Sequence, residues 1–169
     1  MKNSKILVAA IALLFVTSLS FGQGTLAKGK AQLNAGVGLS GWGVPVYVGF
    51  DFGVHRDITL GVEASFASYR ERWSGDYYRH TIMGFEGNGN YHFNRILNIP
   101  KEFDFYAGLN LGFYSWSSPD GYHGDHSSGL GLSAQVGGRY FFQPNLGVNL
   151  QFGGGSAFSG AKLGITYKF

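Results

Sequence analysis

The stretch Ala161-Lys162-Leu163-Gly164-Ile165-Thr166-Tyr167-Lys168-Phe169 alternates between apolar and polar residues along its whole length. Successive side chains of a β-strand point to opposite faces, so this pattern predicts a strand with one apolar and one polar face. A soluble barrel has an apolar interior, whereas a barrel that crosses a bilayer has an apolar exterior. The fully apolar face of this stretch is typical of a strand that faces lipid.

Seven further stretches alternate in the same way, which makes eight predicted strands. They cover residues 30–40, 44–54, 58–69, 80–93, 103–114, 129–142 and 146–153. Charged residues lie on their polar faces, namely Asp51, Glu63, Glu86, Asp104 and Arg139, and their apolar faces carry no charge in mid-strand. A lipocalin-like soluble barrel would show the reverse arrangement. Because only a closed barrel pairs all strand backbone groups within a bilayer, we predict an all-β fold, an eight-stranded antiparallel up-and-down transmembrane β-barrel.

Residues 1–22 have the three-part pattern of a secretory signal peptide. Lys2 and Lys5 precede an apolar run over residues 6–16, and Ser20-Phe21-Gly22 supplies small residues for cleavage. The run is shorter than the roughly 20 residues that a transmembrane helix needs. We therefore predict export and a mature barrel domain over residues 23–169.

The overall composition excludes several classes of protein. The chain has no cysteine, which excludes disulfides, thiolate metal sites and a lipid-modified cysteine. Without Lys2 and Lys5, 11 basic residues face 10 acidic ones, and no basic stripe indicates a nucleic-acid partner.

The connections between predicted strands alternate in length, as they do in outer-membrane barrels. Residues 55–57 and 143–145 form tight turns, whereas residues 70–79 and 115–128 form long polar loops. This pattern places the termini and tight turns in the periplasm and the long loops outside the cell. Two connections depart from it: residues 41–43 are short, and residues 94–102 are long.

Aromatic residues cluster beside the predicted periplasmic turns, on the apolar faces, as in the girdle of a membrane barrel. They are Phe52, Tyr91, Phe93, Phe103, Phe105, Tyr140, Phe142, Tyr167 and Phe169. A thinner outer set contains Trp42, Phe66, Phe113, Phe152 and Phe158.

The signal peptide, the eight strands and the final Leu163-x-Ile165-x-Tyr167-x-Phe169 pattern resemble the small eight-stranded outer-membrane barrels of Gram-negative bacteria, of the OmpX, OmpW and opacity-protein type. The resemblance covers essentially the whole mature chain, but no loop motif assigns a subfamily. It implies location in the outer membrane, and it implies that Tyr167 and Phe169 serve as a signal for the barrel assembly machinery.

The polar faces of the strands would line the lumen. An eight-stranded barrel is just wide enough for side chains to fill it. Glu63 and Glu86 are expected at similar heights on adjacent strands, with Arg139 as their candidate partner across the lumen. The lumen is then either a hydrogen-bonded plug or, alternatively, a path for protons or ions.

Two loops carry residue types that suggest chemistry. His126 and Ser127 fit a lipid-modifying enzyme, and Asp120, His123, Asp125 and His126 fit a metal site, although a solvated polar loop is favoured over both. In the other loop, Arg70, Arg72 and Arg79 alternate with aromatics and suit the phosphates of lipopolysaccharide.

The sequence therefore predicts a non-enzymatic outer-membrane barrel with a plugged lumen, without catalytic, cofactor-binding or metal-binding residues. It would act through its surface loops in membrane integrity, adhesion or surface interaction, with outer-membrane lipids and lipopolysaccharide as partners. The alternative function is a narrow porin-like channel for ions or small hydrophobic solutes.

Overall fold

The computed structural model describes residues 24–73, 76–117 and 128–169, and these residues form a closed antiparallel barrel. Its strands are β1 (Ala31–Ser40), β2 (Val46–His55), β3 (Ile58–Trp73), β4 (Asp76–His92), β5 (Phe103–Ser117), β6 (Gly129–Phe141), β7 (Leu146–Gly154) and β8 (Gly160–Lys168). Each strand pairs with its neighbours in the chain, and β8 closes onto β1. In this part of the chain, no helix is long and apolar enough to cross a membrane. The predicted eight-stranded up-and-down barrel is confirmed; the predicted signal peptide lies outside the described residues.

The apolar faces of the strands point outward, as predicted. We call these outward side chains the belt; it includes Val48, Leu60, Val62, Phe85, Leu109, Leu111, Val136, Leu150, Leu163 and Ile165. Leu109 and Val62, for example, are each 61% exposed, whereas Asp104 and Arg139 are buried in the lumen. This arrangement inverts that of a soluble protein, whose interior is apolar. The belt is thus a surface that suits lipid rather than water.

The predicted loop over residues 70–79 is wrong, because most of it continues the β3–β4 hairpin. The two strands pair from Ile58↔Tyr91 up to Trp73↔Asp76, well beyond the last β4–β5 pair, Thr81↔Ser117. Apolar residues stop alternating where the hairpin rises above the belt, so the sequence pattern ends before the strands do. The aromatic residues of this segment favour strand structure.

Apolar side chains pack together inside the barrel at the end where β3 meets β4, which we call the loop end. Ala67, Ile82, Tyr114 and Phe158 form a buried cluster, and Trp42 and Trp116 pack against it. Phe158 lies in the β7–β8 turn and contacts Tyr114 with ring centroids 5.7 Å apart. The prediction that Phe158 faces lipid is therefore wrong: the turn folds over the mouth of the barrel and inserts this ring.

Residues 24–30, which precede β1, pack against the opposite end of the barrel, which we call the turn end. Leu26 is only 1% exposed, and the Gly29 amide donates to Gly53 O at 2.7 Å. Lys168 Nζ donates to Gly24 O at 2.7 Å and lies 3.5 Å from the centre of the Phe141 ring. The mostly polar segment 24–30 thus places one leucine, Leu26, inside this end of the barrel.

An ion pair joins two connections at the turn end. Arg95, in the β4–β5 connection, donates from Nε and Nη2 to both carboxylate oxygens of Asp57, in the β2–β3 turn, at 2.5–3.0 Å. Its guanidinium lowers the pKa of the Asp57 carboxyl below the ordinary range. In the same connection, the Asn94 side chain donates to Phe103 O at 2.5 Å and accepts from the Phe105 amide at 3.1 Å. These bonds hold the β4–β5 connection against the β2–β3 turn and the start of β5.

Candidate functional site

Arg139 is the centre of a buried ion network in the lumen. It faces inward from β6, directly opposite Asp104 on β5, and donates to Asp104 Oδ2 at 2.9 Å and to Asp51 Oδ2 at 3.0 Å. Its guanidinium also lies 4.2 Å from the centre of the Tyr106 ring. Burying these charges is tolerated because each acid contacts the same cation and further hydrogen-bond donors. We call this group and its extensions the lower network.

One extension of the lower network has the order of a catalytic triad. His92 Nδ1 lies 2.7 Å from Asp104 Oδ1, and His92 Nε2 lies 3.0 Å from Thr59 Oγ1. Nucleophilic catalysis requires such contacts but also access for a substrate. Thr59, His92 and Asp104 are buried, at most 1% exposed, so they stabilise the interior. Their inward positions follow from the sequence alternation, whereas their meeting depends on strand register, which the sequence analysis did not predict.

A second extension crosses to the strands that close the barrel. Asp51 Oδ2 accepts from Gln32 Nε2 and Asn34 Nδ2, each at 2.9 Å. Thr166 Oγ1 donates to Asn34 Oδ1 at 2.7 Å and accepts from Asn149 Nδ2 at 3.0 Å. The hydrogen-bonded chain thus connects β2, β1, β8 and β7 through the lumen.

Lys162, rather than Arg139, is the partner of the two buried glutamates. Glu63 and Glu86 are direct cross-strand partners, as predicted. Lys162 Nζ donates to Glu63 Oε1 and lies 3.8 Å from Glu86 Oε2, and the Tyr114 hydroxyl donates to Glu86 Oε1. We call these four residues the upper network. The prediction of Arg139 as their partner is wrong, because the register places Arg139 nearer the turn end, at the level of Asp104.

The space left between these side chains is small. A cavity of about 20 Å³ lies between the two networks and is lined by Asp51, Glu63 and Arg139, among others. A second cavity, of about 10 Å³, lies beside Glu86 and Lys162 under Phe158. A cavity needs about 10–15 Å³ to hold one water molecule. Each therefore has room for about one water molecule.

The candidate enzymatic and metal sites fall largely outside the described residues. Asp120, His123, Asp125, His126 and Ser127 all lie in the segment 118–127, which the structure does not describe. Their neighbour Ser128 accepts the Trp116 amide on Oγ at 2.9 Å. Among the residues that are described, no group of three or more histidines and acids is arranged to hold a metal ion.

The outer hairpin brings two of the three predicted arginines together. Arg70 and Arg79 are direct cross-strand partners near the tip of the β3–β4 hairpin, and both are exposed. They share an outward face with Phe66 and Met83, which are 42% and 47% exposed at the upper edge of the belt. Like charges directly opposite each other destabilise a strand pair, and an anion between them would offset this repulsion. The side chain of Arg72 lies outside the described part of the structure.

Comparison with known proteins identifies the fold. No family model and no curated protein matches this sequence. The outer membrane protein OprG of Pseudomonas aeruginosa matches with a TM-score of 0.65 at 10% identity, over 87% of this chain and 99% of that one. The N-terminal β-barrel domain of Pseudomonas aeruginosa OprF matches at 0.57 and 13%, over 84% and 98%. Neisserial surface protein A matches at 0.55 and 15%, over 83% and 95%. This chain therefore has the fold of the small eight-stranded outer-membrane barrels, as the sequence pattern predicted.

Proposed function

We propose that this protein is a non-enzymatic integral barrel of the outer membrane, with a closed lumen, that acts through its outer surface. One observation carries the proposal: an apolar belt surrounds charged residues that pair with each other rather than line a pore. The turn end with Leu26 would face the periplasm, and the β3–β4 hairpin would face outward. Such a barrel stabilises the membrane or contacts a surface partner without transporting large solutes.

We further propose lipopolysaccharide as the lipid partner on the outside. Arg70 and Arg79 lie above Phe66 and Met83 on the outward face of the hairpin. In an outer membrane they would then be near the lipid phosphates of the outer leaflet. A guanidinium binds phosphate through two parallel hydrogen bonds. A phosphate between the two arginines would satisfy both cations and remove their mutual repulsion.

The double variant R70S/R79S is expected to retain about tenfold less lipopolysaccharide, since one charge-assisted hydrogen bond contributes about 1.5 kcal/mol. The barrel would be extracted from lipopolysaccharide-containing membranes in mild detergent, and the bound glycolipid would be quantified by mass spectrometry. K28S/K30S is a matched control, because it removes the same charge from exposed residues at the turn end. Equal retention by both double variants would contradict the proposed contact.

We also propose that Tyr167 and Phe169 form the signal by which the barrel assembly machinery recognises β8. The two rings pack with centroids 5.3 Å apart, and Phe169 is 60% exposed on the outside of the barrel. Tyr167 is half-buried and lies in β8, and Phe169 follows directly after that strand, so a partner that binds β8 before it pairs with β1 would meet both rings.

A further inference from the structure

A groove of about 560 Å³ crosses the outer face of β5, β6, β7 and β8. Its outward lining is apolar and includes Phe105, Val136, Gly138, Leu150, Phe152 and Leu163. The volume falls within the roughly 300–1,000 Å³ of small-molecule sites. The groove is therefore large enough for a ligand, although it lies on the outside of the barrel.

Gly138 lies in the groove, on the outward face of β6, and has no side chain to fill it. Its cross-strand partners are Phe105 on β5 and Leu150 on β7, and both point outward. The Phe105 ring partly covers the glycine, since a Cβ at position 138 would lie 2.9 Å from Phe105 Cε1. The larger side chains beside Gly138, such as Leu150 and Phe152, form the sides of the groove.

The groove runs along the strands from the turn end towards the middle of the belt. Tyr140, opposite Phe103, lies at its turn-end rim, and the register continues through Gly138↔Leu150 to Val136↔Phe152. The polar side chain of the neighbouring Arg139 points into the lumen, where Asp104 and Asp51 bind it. An apolar groove that follows the strands, with an aromatic rim towards the turn end, suits an acyl chain that enters from the headgroup region.

We propose that this groove binds one acyl chain of a phospholipid from the periplasmic leaflet. The inference rests on the proposed function, which places the belt in a membrane and the turn end in the periplasm. The groove is continuous with the lipid-facing belt, so hydrocarbon is the material that reaches it. Its concave walls contact the chain on several sides, whereas a convex part of the belt contacts it on one. The bound chain therefore stays longer than the surrounding lipid.

A photoactivatable lipid tests this site directly. The probe is a phosphatidylcholine with a diazirine at the end of one acyl chain, present as a minor component of dimyristoylphosphatidylcholine vesicles that contain the folded barrel. Labelled residues are mapped by mass spectrometry. We expect Leu150, Phe152 and Leu163 to be labelled several-fold more than Val48 and Val62, which are comparably exposed on a distant part of the belt.

Two variants fill the groove, and a third serves as their control. G138L adds a side chain at the floor of the groove once the Phe105 ring shifts, and L150W narrows the groove while Gly138 itself is unchanged. G87L adds the same leucine to an outward position of β4, where the nearest atoms to a Cβ are 3.9 Å away. The gel shift between unheated and heated samples reports that each barrel is folded. The excess labelling should disappear in G138L or L150W, whichever folds, and persist in G87L.

The alternative outcomes separate this inference from the proposed function. Equal labelling of groove and control patch would overturn the acyl-chain site but leave the membrane placement intact. A labelled control patch with an unlabelled groove would also overturn it and indicate that a second copy of the chain covers the groove. If neither surface is labelled, the membrane placement itself fails, and the inference fails with it.

Discussion

Replacing Arg139 by methionine is expected to lower the free energy of unfolding by about 3–5 kcal/mol, the cost of leaving a buried charge without its partner. The guanidinium donates to Asp104 and Asp51 and is only 3% exposed. Methionine fills a similar volume but leaves two carboxylates without their cation. Because whole domains are stable by only about 5–15 kcal/mol, the loss is a large share of the total.

Urea unfolding of the barrel in lipid vesicles, followed by tryptophan fluorescence, measures this loss. The triple variant D51N/D104N/R139M is the matched control, since it removes the two acids together with the cation. Each introduced asparagine keeps an oxygen that accepts from the present donors, which are Gln32, Asn34 and His92. The triple variant should therefore recover most of the stability. A loss below about 1 kcal/mol for R139M, as for an exposed ion pair, would contradict the buried network.

The variant L109R is expected to cost about 2–4 kcal/mol, the penalty for arginine at the midplane of a bilayer on the lipid face of a barrel. Leu109 lies in the middle of β5 and is 61% exposed. In a soluble barrel the same change at an exposed site would alter stability by only about 0.5 kcal/mol. The two environments thus predict different costs for one substitution.

The matched control is S117R, on the same strand and the same outward face, above the belt. It should cost no more than about 1 kcal/mol, because the penalty falls towards the membrane surface. The same vesicle-based unfolding assay measures both variants. Equal costs for L109R and S117R would mean that the belt does not lie in hydrocarbon.

The sequence predicted the strands and their faces because alternation has a period of two, and this period is kept wherever a strand carries belt residues. It did not predict which charges meet across the lumen. Alternation assigns Arg139 and Lys162 to the interior, but their heights depend on the stagger between strands around the barrel. Because the sequence does not give these heights, it predicted Arg139 as the partner of Glu63, whereas the structure shows Lys162 there.

The sequence pattern also did not predict that Leu26 and Phe158 are buried at the two ends of the barrel. Leu26 and Phe158 are single apolar residues in short polar segments, where no periodicity indicates the direction of a side chain. Similarly, the β3–β4 hairpin extends beyond the apolar belt, so apolar alternation stops although backbone pairing continues. Apolar alternation thus predicts strands and the direction of their side chains along the belt, but not in the segments beyond it.

Single-channel recording of the folded barrel in a planar lipid bilayer tests the closed lumen most directly. The lumen holds the ion networks around Arg139 and Lys162, its cavities have room for about one water molecule each, and side chains pack across both ends. We therefore expect no current steps above those of the bare membrane, at any applied voltage that the bilayer tolerates. Reproducible unitary steps whose size follows the salt concentration would contradict the account and establish a channel.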